Sequence, residues 1–312
     1  MTHLDIIDRI RGALFGVAVG DALGGPVEFM SAEQIKKKHG RVTEMLGGGW
    51  LGLEPGEITD DTQMTMAVAL GIEENPADPV PAIGRRFIEW YDSGPKDIGM
   101  TCSKAIYTAK RDGAKTAKDW AKAGQKTDIV LHGRSAGNGA LMRTVYTGLY
   151  YADEVPRTNM TGRIAEITHF NAESTTLCMR YADMIHAAIF GGHPISSVRT
   201  SDVDSKASPT GYVRDTWLNV IDAILQTETF EDAVVEAVNR GGDADTIGAI
   251  TGGLAGAFYG YKAIPQRWIA ALDETLKNTM DRLAEKAYNA NREYYRNRYQ
   301  LPERLLQMFQ EV

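Results

Sequence analysis

Acidic residues are concentrated at three places in this chain, each beside a helix signal. Glu28 follows a glycine-rich stretch, and residues 59–62 and 243–246 each hold two aspartates next to threonine. One acidic residue at each place would be an ordinary helix cap, favoured by the helix dipole. Crowded carboxylates repel one another unless a cation joins them, so the pattern favours a metal site. Plain capping remains the alternative at this point.

The chemistry that this cluster supports is that of an oxygen-ligated pair of divalent cations. Its acidic members are Glu28, Asp60, Asp61, Asp243 and Asp245, and Thr59 and Thr246 add neutral oxygens. Five negative charges come close to balance with two divalent cations. Because the set has no thiolate and no obligatory imidazole, Mg²⁺ or Mn²⁺ is preferred over Zn²⁺. Two such ions would act as Lewis acids that orient a substrate oxygen or an attacking water.

The elements that carry these residues are predicted to be helices. Helical periodicity recurs along the chain, whereas a strand pattern occurs only at 127–131, and the polar stretch 110–127 is typical of a loop. The predicted helices are 5–23, 61–73, 81–91, 102–111, 136–151, 159–168, 175–190, 214–226, 230–239, 246–260 and 266–299. We expect an all-α fold, and one compact domain over 1–312 because no linker interrupts the pattern.

Two of the predicted helices carry glycine at every fourth position. These glycines are Gly12, Gly16, Gly20 and Gly24 in the first helix and Gly248, Gly252, Gly256 and Gly260 in the second. Glycine inside a helix costs about 1 kcal/mol relative to alanine, so the repetition needs an offsetting gain. A helix face without side chains lets another backbone approach closely. We predict that the two helices lie deep in the bundle and pack together; the alternative is that the glycines are merely flexible positions.

Composition narrows the class of protein and its partners. The chain has 34 Lys and Arg against 41 Asp and Glu, a net charge of −7, which gives no basis for binding a phosphate backbone. Cys102 and Cys178 lie far apart and form no metal-ligand spacing. The apolar stretches 12–20 and 247–261 are shorter than the roughly 20 residues of a membrane span. We expect a cytoplasmic protein without a disulfide framework, a transmembrane segment or a nucleic-acid partner.

An ordered series of motifs resembles the ADP-ribosylglycohydrolase family, and within it the dinitrogenase reductase-activating branch. The motifs are Gly-Ala-Leu-Phe-Gly at 12–16, Gly-Asp-Ala-Leu-Gly at 20–24, Gly-Gly-Gly-Trp at 47–50, Thr-Asp-Asp-Thr at 59–62, Pro-Lys-Asp-Ile-Gly at 95–99, Gly-Asn-Gly-Ala-Leu-Met-Arg at 137–143, Ile-Thr-His at 167–169, Gly-Tyr-Val at 211–213, the stretch 239–246 and Ile-Pro-Gln-Arg-Trp at 264–268. Because they run in family order, they are more specific than any single pair of aspartates. The resemblance implies an all-helical bundle of that family's type, with a dinuclear Mg²⁺ or Mn²⁺ centre in a cleft.

The resemblance also implies roles for individual residues. The residues that match the family's metal ligands are Thr59, Asp60, Asp61, Asp243, Asp245 and Thr246. Asp245 is expected to bridge the ions, and Glu28 to lie beside the metals or the attacking water. Asp97 looks like the branch's acid/base, whose pKa a partly enclosed site would raise.

Substrate binding is expected at Gly99, at the Gly137-Asn138-Gly139 turn, at His169 and at Tyr212. Backbone N–H groups of the turn would hold a pyrophosphate at a helix N-terminus, with a plain turn as the alternative. His169 would otherwise be a satisfied buried histidine. Tyr212 offers a ring for stacking on adenine or ribose, with a core position as the alternative.

The activity that the resemblance implies is removal of ADP-ribose from a modified arginine side chain of a protein. The branch implies dinitrogenase reductase as that protein, and a PII-type signal protein or an ammonium channel as a partner that sequesters the enzyme, through which it would associate reversibly with the membrane. The motifs leave two alternatives open. One is hydrolysis of serine-linked or free ADP-ribose derivatives, and the other is a catalytically silent ADP-ribose binder.

Overall fold

The computed structural model describes residues 3–191 and 207–299, and throughout these ranges the chain folds into α-helices. In chain order they are α1 (His3–Gly24), α2 (Ala32–His39), α3 (Asp60–Glu74), α4 (Val80–Asp92), α5 (Met100–Arg111), α6 (Ala117–Val130), α7 (Val145–Tyr150), α8 (Glu154–Ala165), α9 (Ala172–Phe190), α10 (Val213–Leu225), α11 (Phe230–Asn239), α12 (Ala244–Tyr259), α13 (Gln266–Ala271) and α14 (Glu274–Tyr299). Within the described ranges the backbone makes isolated β-bridges and no strand, which confirms the all-α prediction. A domain spanning 1–312 stays a prediction, since it includes residues outside those ranges. None of the described helices has the length and apolarity needed to cross a membrane.

The two glycine-striped helices, α1 and α12, pack directly against each other. A Cβ on Gly16 would lie 2.0 Å from the carbonyl oxygen of Gly252, and a Cβ on Gly252 would lie 2.0 Å from that of Gly16. At the next turn, a Cβ on Gly20 would lie 2.1 Å from the carbonyl oxygen of Gly248. Real Cβ atoms do not approach backbone this closely, so only glycine permits the contact. The predicted packing is confirmed, and we call this contact the glycine seam.

The glycine seam lies at the centre of the protein. Every residue of α12 from Ala244 to Ala257 is buried, as is nearly all of α1. Helices α9, α10 and α11 pack around α12, while α3 and α14 pack around α1. The predicted helix 246–260 extends one residue too far, since α12 ends at Tyr259. Gly260 follows it with a φ of +85°, a conformation that glycine adopts without strain.

Helix α6 occupies the stretch that the polar composition assigned to a loop and a short strand. Its N-terminus has a capping box in which Thr116 and Asp119 bond each other's backbone N–H groups. Trp120, Ala123 and Thr127 lie on its buried face with helical spacing. The expectation of a loop or helix connection over 110–127 is therefore wrong from Ala117 onward, and the strand pattern at 127–131 lies at the end of a helix, because charged residues between the buried positions conceal the periodicity.

Two predicted helices are each interrupted. Residues 136–151 form a single 3₁₀ turn at Asn138–Ala140 followed by the short helix α7. The segment 266–299 divides into α13 and α14 because Asp273 accepts a hydrogen bond from the backbone N–H of Leu276 and starts a new helix. Helix α2, which the sequence reading left out, begins with a capping box at Ser31 and Gln34.

Candidate active site

A cavity of about 810 Å³ opens where the C-terminal end of α1 meets the N-termini of α3 and α12. Eleven of the residues singled out in the sequence line it, namely Glu28, Asp60, Asp97, Gly99, Gly137, Asn138, Gly139, His169, Asp243, Asp245 and Thr246. Thr59 and Asp61 are buried in the adjoining helix terminus, and Tyr212 lies on the neighbouring surface. Residues from six separate motifs therefore converge on one cavity.

Asp21 of α1 fixes the first acidic cluster. Its carboxylate accepts hydrogen bonds from the backbone N–H and hydroxyl groups of both Thr59 and Thr62, at 2.5–3.1 Å. Burial raises the pKa of Asp21 to about 6, although these bonds oppose the increase. Because the Thr59 hydroxyl donates its proton to Asp21 in a hydrogen bond, its lone pairs remain available to a cation.

The second acidic cluster forms the N-terminus of α12. Asp243 accepts a 2.6 Å hydrogen bond from the side-chain amide of Asn138, whose amide also donates to Thr216. Asp245 accepts from the backbone N–H of Thr246 at 2.8 Å. Gly24 of α1 allows this approach, since a Cβ there would lie 2.5 Å from the Cα of Asp245.

Glu28 and Asp97 complete the acidic lining. One carboxylate oxygen from each of Glu28, Asp97 and Asp245 lies within 4.8 Å of the others. Glu28 accepts a 2.6 Å hydrogen bond from the indole N–H of Trp50, which holds its carboxylate at the cavity wall. Three chain segments thus deliver carboxylates to one point.

The electrostatics of the cavity are those of carboxylates deprived of water. Burial, with added repulsion from neighbouring carboxylates, raises the pKa of both Glu28 and Asp60 to about 8. Burial and the same repulsion raise the pKa values of Asp61 and Asp245 well above their usual range. Burial also raises the pKa of Asp97. Such crowding of acids in a cavity is typical of a functional site.

The donor set fits divalent cations. Among the described residues, the buried Oδ1 of Asp61 has no hydrogen-bond partner, and its Oδ2 accepts a single 3.3 Å bond, from the Thr246 hydroxyl. A buried carboxylate oxygen without a partner is costly, and a cation would satisfy it. Oxygen atoms from Asp, Glu and Thr are the ligands that Mg²⁺ and Mn²⁺ prefer.

A second part of the cavity wall is held by Arg143. This fully buried side chain donates to the carbonyl of Gly139 and to the hydroxyl of Thr168, at 2.6 and 2.7 Å, and lies over the ring of Phe87. The Thr168 hydroxyl lies 2.7 Å from Nδ1 of His169. Burial, helped by the Arg143 charge, lowers the pKa of His169 to about 3, so the ring is neutral at pH 7.

The Gly137-Asn138-Gly139 turn does not start a long helix, because Asn138–Ala140 form only a single 3₁₀ turn. The N–H of Asn138 donates to the carbonyl of Gly211, so it is not offered to a ligand. Both glycines instead make room for His169: a Cβ on Gly137 would lie 3.1 Å from its Nε2, and one on Gly139 would lie 3.0 Å from its Cε1.

Tyr212 does not line the cavity. Its hydroxyl donates a 2.5 Å hydrogen bond to Glu173, and its ring is 41% exposed beside Gly137. The core position that was the alternative is therefore wrong, and stacking of Tyr212 on the substrate stays a prediction.

Some residues of the site were missed in the sequence. Asp21 and Arg143 were quoted only as parts of motifs, and Phe29 was given no role although it lies at the cavity mouth. A signal existed for Asp21, since it is the one charged residue between Gly12 and Gly24, in an otherwise apolar stretch of sequence.

A helical bundle with an acidic, oxygen-lined cavity at the meeting point of three helix ends defines the class of protein. The ADP-ribosylglycohydrolase family model matches residues 2–297, and the chain belongs to this family. It is 35% identical over 298 residues to ADP-ribosyl-[dinitrogen reductase] glycohydrolase of Rhodospirillum rubrum, covering 90% of this chain and 96% of the relative. It is 28% identical over 305 residues to the ADP-ribosylarginine hydrolase Tri1 of Serratia proteamaculans, covering 89% and 79%. A solved structure titled ADP-ribosylglycohydrolase-related protein complex superposes with a TM-score of 0.78 at 31% identity, covering 92% of this chain and 99% of that one.

Proposed function

We propose that this chain is a metal-dependent hydrolase that removes ADP-ribose from a modified arginine side chain of a protein. The observation that carries the proposal is the buried group of carboxylates at the cavity, with the partnerless Oδ1 of Asp61 among them. The names of the Rhodospirillum and Serratia relatives support the ADP-ribosyl-protein and the arginine parts of this function.

Two divalent cations, Mn²⁺ or Mg²⁺, would be held by Thr59, Asp60, Asp61, Asp243, Asp245 and Thr246. Once bound, they would supply Lewis-acid polarisation of the ribose hydroxyls and of water. In the protein itself, Asp21 holds Thr59 in place and Asn138 holds Asp243, so two of the proposed ligands are oriented by buried hydrogen bonds.

Hydrolysis breaks the bond between the anomeric carbon of the ribose and a guanidinium nitrogen. Water adds its oxygen to the carbon, and the nitrogen leaves with a proton. We assign the proton transfer to Asp97, because its half-buried carboxyl has a raised pKa and lies beside Glu28 and Asp245. Glu28, held by Trp50, is placed to orient the attacking water.

The part of the cavity wall formed around Arg143, Thr168 and His169 is assigned to the ADP part of the substrate. The Thr168 hydroxyl accepts a hydrogen bond from Arg143, so its own proton is available to Nδ1 of His169. The proton of the neutral ring then lies on Nε2, beside the Gly137–Gly139 turn, where it can donate to a phosphate or ribose oxygen. Gly99, whose N–H donates weakly to Asp60, adds backbone to the floor of the same site.

The protein substrate that we propose is ADP-ribosylated dinitrogenase reductase, because the Rhodospirillum relative is named for that activity and aligns over nearly its whole length. A PII-type signal protein as a sequestering partner stays a prediction from the resemblance. Copurification of the two proteins under nitrogen-replete conditions would test it.

The test of the function is release of ADP-ribose from an arginine-ADP-ribosylated protein with Mn²⁺, with Mg²⁺ and with a chelator. Wild type is compared with Asp97→Ala and Asp245→Ala. Metal-dependent release that both variants lose is the expected result. Release from a serine-linked substrate only would overturn the arginine assignment, and tight ADP-ribose binding without any turnover would replace the hydrolase with a silent binder.

A further inference from the structure

Phe29 has a backbone conformation that its residue type disfavours. Its φ is +63°, in the left-handed region, where a residue with a Cβ costs about 1–2 kcal/mol relative to glycine. Two hydrogen bonds hold it there: its N–H donates to the carbonyl of Gly242, and the N–H of Gly242 donates to the carbonyl of Met30. A strained position of this kind, next to a cavity, indicates a function for its side chain.

The side chain of Phe29 points into solvent instead of the core. It is 68% exposed, and its ring centroid lies 5.6 Å from that of Trp50, which is 56% exposed, with the two ring planes tilted by 40°. Both rings line the cavity mouth. We call this pair the aromatic rim. Exposed aromatic pairs give up burial energy, so their position at the mouth favours contact with a ligand.

The oxygen atoms beside the aromatic rim favour a ligand that brings N–H donors. Trp50 donates its indole N–H to Glu28, and the Glu28 carboxylate lies within 4.8 Å of those of Asp97 and Asp245. No Lys or Arg lines this cavity within the described part of the chain. An aromatic face bordered by carboxylates suits a planar guanidinium, which stacks on rings and is weakly hydrated.

We propose that the aromatic rim binds the guanidinium of the substrate's ADP-ribosylated arginine and so contributes to selection of that linkage. This inference rests on the proposed function, and it adds two specificity-determining residues, Phe29 and Trp50. The rim adjoins Glu28 through the Trp50 hydrogen bond, and Glu28 lies close to Asp97, where the leaving nitrogen would lie.

The experiment compares a ligand that carries the guanidinium with one that lacks it. KM is measured for ADP-ribosylagmatine, and the inhibition constant is measured for free ADP-ribose. The variant Phe29→Leu removes the ring but keeps the Cβ, so the backbone strain is the same as in wild type. Phe29→Tyr keeps the ring, and Tyr107→Leu is the matched control at an aromatic residue that is 53% exposed and does not line the cavity.

For Phe29→Leu, KM for ADP-ribosylagmatine is expected to rise about 2- to 5-fold while the inhibition constant of ADP-ribose stays unchanged. Tyr107→Leu is expected to match wild type in both, and Phe29→Tyr, which keeps the ring, is expected to raise KM less than Phe29→Leu does. An unchanged KM in Phe29→Leu would overturn the proposal, and so would an equal rise in both constants, which would place adenine or ribose on the ring.

Trp50 gives a second comparison. Trp50→Phe loses the hydrogen bond to Glu28 and keeps a ring, whereas Trp50→Leu loses both, so the difference in KM between these variants isolates the ring. We expect a higher KM for Trp50→Leu, and equal KM values would count against the rim. If wild type shows no turnover, the proposed function fails. Calorimetric dissociation constants for the same two ligands still test the rim, because a guanidinium preference that Phe29→Leu removes does not depend on hydrolysis.

Discussion

The glycine seam and the acidic cavity lie on the same two helices and follow opposite physical rules. Along the seam, the facing positions of α1 and α12 are glycines, and the backbones of Gly16 and Gly252 pack together without a side chain between them. At the cavity end of the same helices, carboxylates are crowded and buried, and one oxygen of Asp61 has no partner. The seam is optimised for packing, whereas the cavity is a source of instability.

The difference indicates that the seam supports the cavity. In α1, Asp21 follows Gly20 and accepts hydrogen bonds from both threonines that flank the first aspartate pair. Asp245 packs against Gly24, the last glycine of the α1 stripe. A shift of α1 along α12 would therefore move both acidic clusters together. Rigid packing of this kind keeps mutually repelling groups at fixed positions.

The largest expected effect comes from placing a methyl group in the seam. Gly16→Ala would bring a Cβ within about 2 Å of the Gly252 carbonyl oxygen. The atoms that it meets all belong to backbone, which cannot rotate away as a side chain can. We expect a loss of at least about 3 kcal/mol in the free energy of unfolding, measured by urea denaturation.

Gly162→Ala in α8 is the matched control, because the atom it meets is the flexible methyl end of Met179. Alanine favours a helix, so this variant is expected to lie within about 1 kcal/mol of wild type. Equal stability of the two variants would show that the seam is loosely packed.

How far the sequence reaches can be judged from the same two regions. The seam could be predicted because a four-residue glycine repeat has one economical explanation in a helix. The capped helix α6 could not, since exposed lysines alternate with its buried residues along the sequence and only Trp120 among those buried residues is large and apolar. Helix breaks such as the one at Asp273 depend on local capping that competes with a continuous periodicity.

For the site, the sequence indicated the carboxylates but not what holds them. Asp21 bonds residues 38 and 41 positions away, and Arg143 orients His169 through Thr168. Contacts of this range leave no spacing pattern in a sequence. The aromatic rim depends on a single backbone dihedral angle at Phe29, which residue type does not encode.

A buried histidine outside both regions gives the fold a sensitivity to acid that is opposite in sign to the effect of the cavity carboxylates, whose pKa values are raised. Burial lowers the pKa of His186 to about 4, where it bonds the Gly148 carbonyl and Tyr295, while an unfolded histidine has a pKa near 6.5. Protonation therefore favours the unfolded chain. The stabilisation is complete above about pH 6.5 and is lost as pH falls through 4, by at most about 3 kcal/mol.

His186→Gln keeps a hydrogen-bonding side chain that does not titrate near neutral pH. Urea denaturation at pH 7 and pH 4 is expected to show a smaller decrease in stability for this variant than for wild type. Parallel decreases would place the acid sensitivity elsewhere.

A substitution in the part of the cavity wall formed around Arg143, Thr168 and His169 is expected to have a smaller effect. Thr168→Val keeps the shape of the side chain but removes the hydroxyl between Arg143 and His169. We expect the Nδ1 and Nε2 proton forms of His169 to mix, visible in its ¹⁵N NMR signals, and ADP-ribose to bind about 10-fold more weakly. Thr168→Ser should restore both, and a purely structural effect would leave the proton on Nε2.

The smallest expected effect is also the most direct test of the contrast, because its sign differs from that of the seam variant. Asp245→Asn removes one charge from the crowded cluster, and its amide can donate to the neighbouring carboxylates of Asp61 and Asp243. In the presence of a chelator at pH 7, we expect this variant to be more stable than wild type by about 1 kcal/mol.

Adding Mn²⁺ should reverse that order, since wild type gains stability from the bound ions and Asp245→Asn loses a ligand. Thermal denaturation with chelator and with Mn²⁺ measures both effects. Asp92→Asn, which breaks an exposed ion pair with Lys110, is the matched control and should change stability by less than about 1 kcal/mol in either condition. If Asp245→Asn is destabilised in chelator, the carboxylates are satisfied without a cation, and the contrast between a relaxed seam and a strained cavity does not hold.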